Sequence, residues 1–227
     1  MKRIPLAIGI ASLTAVLSIA APGEVRVTIE NVSAGSSLPT PLAPGVWAVV
    51  APGTPNPLFA AGEPDGGLGL EALAEDGNPA PLAAALASNA DVTASGVFNV
   101  PDGADGPGPL LPGGSYSFTV DVTMGTRLYF ATMFVQSNDL FYAPGDGLEL
   151  MGKDGMPMTG DMTPMVQLWD AGTEQNEPPG TGLNQAPRQS GANTGPAEDG
   201  MVQEIVTGDT YPATDTVIRV TISAATN

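Results

Sequence analysis

The sequence predicts an all-β protein, an antiparallel β-sandwich with a short helical insertion after its second strand. Three observations lead there. Short runs with period-two alternation recur along the chain, as where Val25, Val27 and Ile29 oppose Arg26, Thr28 and Glu30. Between these runs lie stretches dense in Gly and Pro, of which the chain holds 29 and 23, and these residues punctuate strands with turns. Only residues 66–89 carry a helical apolar pattern.

The chain opens with Met1-Lys2-Arg3, a positive start, followed over 4–19 by apolar and small hydroxyl residues, and Ser18-Ile19-Ala20 fits a small-x-small cleavage site. This reads as a secretory signal peptide over 1–21, leaving 22–227 as a single domain. The apolar run is about sixteen residues long and contains Pro5, short of the roughly twenty needed to cross a bilayer. The expected address is outside the cytoplasm: secreted, periplasmic or at the cell surface, with no stable membrane insertion after cleavage.

The remaining elements follow in order. Residues 24–32 alternate as a first strand, 33–44 form a connection, and 45–50 make a second strand stopped by Pro52. Within 66–89, Leu68, Leu70, Leu73 and Ala74 share one helical face; Gly77-Asn78-Pro79 breaks it, and Pro81 starts a second short helix. Glu71, Glu75 and Asp76 read as the solvated face of the first. Residues 92–100 form a strand, and 101–114 a loop whose Asp102 and Asp105 lack the ligand ladder of an EF-hand. Residues 115–123 and 127–136 alternate and are joined by Met124-Gly125-Thr126, which predicts a hairpin at the centre of the sandwich. Residues 201–207 and 216–222 supply the last strands. The five methionines Met151, Met156, Met158, Met162 and Met165 read as pliable packing, because a copper site would ordinarily recruit His or Cys and the chain has neither.

The candidate site rests on two carboxylate-bearing stretches, each ending an apolar run. One is Ser137-Asn138-Asp139; the other is Trp169-Asp170-Ala171-Gly172-Thr173-Glu174. Gly172 permits a sharp turn that aims Asp170 and Glu174 at one point, as calcium requires when it collects roughly six to eight oxygens. Spacing alone makes this a weak motif. The second stretch, however, resembles the W-D-A-G-T-D motif of the spondin N-terminal domain, with Glu174 in place of aspartate, and Ser137-Asn138-Asp139-Leu140-Phe141 resembles that family's S-P-D-W, with Asn138 in place of proline. The resemblance is clearest over 116–175. It implies an extracellular sandwich with a calcium ion held by Asp139, Asp170 and Glu174, and Asp121 lies near the place where some members add an acidic ligand. It also implies a bacterial member, since the animal domains carry cysteines and this chain has none.

Composition narrows the function further. Without Lys2 and Arg3, five basic residues face 24 acidic ones, a net charge of −19, which repels nucleic acid and anionic membranes. The lack of His and Cys removes the usual bases, the thiol nucleophile and the common zinc ligands, so no enzyme is expected. The reading that remains is a calcium-braced binding, adhesion or matrix module with an extracellular protein or glycan partner, Phe141, Tyr142 and Trp169 lying near enough to stack on sugar and Trp169 more naturally core. Its competitors are a passive structural envelope protein and, further off, a carboxylate-based glycoside hydrolase.

Overall fold

The computed structural model describes residues 23–225, so the signal peptide read at 1–21 lies outside the described residues. In chain order the strands are β1 (Gly23–Asn31), β2 (Leu42–Val50), β3 (Val92–Phe98), β4 (Ser115–Val122), β5 (Arg127–Phe134), β6 (Leu140–Ala143), β7 (Leu148–Glu149), β8 (Gly160–Asp161), β9 (Gln167–Asp170), β10 (Gln203–Glu204) and β11 (Ile218–Ala224). Two helices, α1 (Leu70–Asp76) and α2 (Ala80–Ser88), fall between β2 and β3. The strands form two antiparallel sheets, β4-β1-β11-β8 and β10-β9-β6-β5-β2-β3, with β7 also paired to β5. The all-β fold and the position of the helical insertion agree with the sequence reading.

Alternation explains the first sheet. Val25, Val27 and Ile29 of β1, Val120 and Val122 of β4, and Val220 and Ile222 of β11 point inward, where they meet Leu128, Phe130 and Phe134 of β5. The second sheet is covered on both faces. On its outer face Val46, Ala48 and Val50 of β2, Ala131 of β5 and Phe141 of β6 pack against Leu70, Leu73, Leu82 and Leu86 of the helices. Every residue of β5 after Arg127 is buried, and such a strand reads as a continuous apolar run because both its faces are core.

That double burial corrects the expected hairpin. The turn exists, with Thr126 N donating to Thr123 O at 3.3 Å, yet it joins strands of different sheets. β4 pairs with β1, Val120 opposite Val25, whereas β5 pairs with β2, Phe130 opposite Trp47. β4 is apolar on one face only and suits the sheet with a solvated side; β5 needs cover on both.

Other expectations also shift. The strand read at 201–207 shrinks to β10, and Val206 is exposed. Of the methionines, Met151 is buried and Met162 packs on the core, but Met156, Met158 and Met165 are exposed, so packing accounts for two of the five. Among the described residues no helix is long and apolar enough to cross a membrane.

Candidate functional site

The two motifs meet because β6 and β9 are neighbours in register. Leu140 lies opposite Asp170 and Phe141 opposite Trp169, and Ala171 N donates to Asp139 O at 3.2 Å. Asp139 enters this register from a local turn. Ser137 Oγ donates to Phe134 O at 2.6 Å and accepts Leu140 N at 3.1 Å, reversing the chain between β5 and β6.

After β9 the backbone turns at Gly172, whose φ of +69° and close approach to Met201 N admit no side chain without strain. Asp170 Oδ1 accepts Gly172 N at 2.8 Å, and its Oδ2 accepts Asn176 Nδ2 at 2.7 Å. The turn then points two backbone donors at Asp139. Its Oδ2 accepts Thr173 N at 2.8 Å and Glu174 N at 3.1 Å, with the Thr173 hydroxyl at 3.3 Å. Glu174 folds back so that Oε1 accepts Asn138 Nδ2 at 3.0 Å. Gly195 presses on the same carboxylate, leaving no room for a Cβ.

Asp139, Asp170 and Glu174 are thus gathered and buried, at 0, 3 and 2 % exposure. Asp121 is not among them. It sits exposed on β4 opposite Glu24, beside the turn that begins β5, while Asp139 follows the far end of that eight-residue strand, about 25 Å away along it. Its side chain belongs to the solvated face of the other sheet, so the fourth ligand expected at Asp121 is withdrawn.

A different carboxylate lies near the cluster. Glu75, expected on a solvated face, is 3 % exposed. Five residues on from Leu70 it lies roughly 140° around α1, away from the face packed on the sheet. Tertiary structure buries that second face too, since the Thr173 hydroxyl that faces Asp139 also interacts with Glu75. No local pattern announces cover supplied by a turn about a hundred residues away.

The electrostatics follow from this crowding. Burial first, then the Asp170 charge, pushes the Asp139 carboxyl up to about 7 against the pull of the Glu174 and Thr173 donors. Burial pushes Glu75 up to about 7 as well, opposed by Thr173 and reinforced by Glu71, Glu174 and Asp139. Glu174 is raised by burial, against its Asn138 bond, with Glu177 and Asp76 adding to the rise. Among the described residues no cationic side chain shifts any of these three groups, and the ion pairs, Arg26–Asp102 and Arg219–Glu30, are elsewhere on the surface.

Among the described residues, two buried carboxylate oxygens, Asp139 Oδ1 and Glu174 Oε2, have no hydrogen-bond partner. Such atoms carry a desolvation penalty that a proton or a cation would relieve. The donor set, all hard oxygen, suits calcium or magnesium rather than a soft transition metal. As the side chains stand, no group of three carboxylates among the described residues converges tightly enough to enclose one ion. Asp170 directs both oxygens to donors, so ion binding here requires small side-chain rotations or water.

Nearby aromatic residues are less available than their sequence position suggests. Phe141 and Tyr142 are fully buried, which removes them as sugar platforms. Trp169 is core, donating from Nε1 to Ala143 O at 3.1 Å and packing 4.9 Å from Phe59. Compared with known proteins, the chain matches no protein family and none of the curated proteins. Fold and site therefore define a class only: an all-β sandwich with a buried carboxylate cluster at one end of its helix-covered sheet.

Proposed function

We propose that this is an exported β-sandwich module in which Asp139, Asp170 and Glu174 hold a calcium ion that braces the loops after β5 and β9, those loops being presented to an extracellular protein or glycan. The observation that carries the proposal is the pair of buried, unpartnered oxygens on Asp139 and Glu174, with no cationic side chain among the described residues to offset them. Three carboxylates drawn together repel one another unless a proton or a cation intervenes. The likeness of the two motifs to those of spondin N-terminal domains supports the same ion and the same residues.

Apart from those loops, a cleft of about 420 Å³ beside Trp169, bordered by Phe59, Asn56, Gln167, Asp146 and Glu204, is a second place where a ligand is to be sought. Its mixture of aromatic edges, amides and carboxylates suits a glycan better than an apolar molecule. Screening the calcium-loaded protein on a glycan array, beside Gln167→Ala, tests that part.

The cation itself is tested by thermal unfolding in EDTA, calcium or magnesium, with Asp170→Asn alongside. The expected outcome is a rise in Tm that is larger with calcium than with magnesium and is absent in Asp170→Asn. No rise, or an equal rise in the variant, would remove the cation from the account.

A further inference from the structure

Glu75 is the least expected member of the cluster, and its surroundings give it a task. α1 is pinned at both ends by left-handed glycines, Gly69 and Gly77. A Cβ on Gly69 would meet Pro81 and Leu82 at 2.6 Å, and one on Gly77 would meet Ala43 at 2.7 Å, so the backbone at both ends of the helix lies close against its neighbours. Held this way, it turns Glu75 toward Thr173, within the fields of Asp139 and Glu174. A carboxylate in the last turn of a helix also opposes the helix dipole.

Outside Glu75 the chain builds an acidic approach. A cavity of about 230 Å³ is lined by Asp65, Glu71, Glu75 and Asp76, and a second, of about 370 Å³, shares Asp65, Gly67 and Glu71 and reaches Thr173 and Asp199. The long loop before β10 is fastened across this region, with Asn193 Nδ2 donating to Glu71 Oε1 at 2.8 Å and Gln189 Nε2 to Asp76 Oδ1 at 2.9 Å. Thr173, which borders the second cavity, donates to Asp139 Oδ2, and Asp139 Oδ1 and Glu174 Oε2 are buried without a partner among the described residues.

We infer that Glu75 is a further ligand of the divalent cation, contributed by the helical insertion, so that the ion ties α1 to the Thr173 turn and enters by the Asp65–Glu71 groove. This rests on the cation reading above. It adds that the ion orders residues 70–76 as well as the loops after β5 and β9, and that its affinity depends on a side chain outside both motifs.

The test is calcium titration calorimetry on wild type, Glu75→Gln and Asp139→Asn, with hydrogen exchange on wild type in EDTA and in calcium. Glu75→Gln keeps the shape of the side chain and removes a buried charge, so its Tm in EDTA should equal or exceed that of wild type. Its calcium Kd should rise about tenfold or more, because ligand charge count tunes such sites. Calcium should slow exchange in α1 as strongly as in residues 171–176. A wild-type Kd in Glu75→Gln, with binding lost in Asp139→Asn, would overturn the role of Glu75 and leave the three-carboxylate site standing. Exchange slowed in the loops alone would overturn it too, even if Glu75→Gln failed to fold. No calcium binding by wild type would remove the inference together with the reading beneath it.

Discussion

Asn138 stands where the similar motif carries proline, and the exchange is structural. Its Nδ2 donates to Glu174 Oε1 and to Glu177 Oε2, and its Oδ1 accepts Glu177 N at 2.9 Å. Proline could make none of these bonds, so here one side chain takes over the joining of the first loop to the second. Asn138→Ala should cost about 1–3 kcal/mol, the penalty for leaving buried partners unpaired, read as a lower midpoint in urea. An unchanged midpoint would show that water replaces the amide. Tyr142 offers the reverse case. Its hydroxyl is buried without a partner between the sheets, and burial holds it far above the usual phenol range. Tyr142→Phe should therefore be neutral or stabilising by about 1 kcal/mol. A marked loss of stability would reveal a bond to ordered water.

At the scale of elements, the helical insertion has two duties that its sequence pattern divides unequally. Leu70, Leu73 and Ala74 declare the face that packs on β5 and β6. Nothing local declares the Glu75 face, whose cover comes from the turn after β9. The same limit explains the mistaken hairpin: the turn at 123–126 was legible, but whether its flanking strands pair depends on what each can bury elsewhere. β5 reads as alternating because Arg127, Tyr129 and Thr132 interrupt its apolar residues, yet every residue after Arg127 is buried. Where the motifs lie at strand ends in register, as those of Asp139 and Asp170 do, sequence reasoning anticipates that they meet; Asp121, near them only in sequence, is carried away by the length of a strand.

The whole molecule is acidic, and its response to pH should show it. Asp139 moves from 3.8 to about 7, Glu75 from 4.5 to about 7, and Glu174 is also raised. A raised carboxyl means that the folded state keeps protons that the unfolded chain releases above its ordinary range. The associated stability is complete at low pH and is lost as pH climbs through about 7. In EDTA the Tm should accordingly fall between pH 5 and pH 8, and Asp139→Asn should fall less. Calcium should flatten the profile by replacing the protons. A Tm in EDTA that is level or rises across this range would mean that the cluster relaxes into water instead of staying buried.

The amino-acid sequence by itself determined the all-β class, the place of the helices, the acidic character and the two motifs, because each is written in local periodicity, turn residues and composition. Only the tertiary structure decided which strands pair, that Asp121 stands apart and that Glu75 turns inward. Those outcomes depend on which distant surfaces cover one another, and burial by a distant surface leaves no trace in the neighbouring residues of the chain.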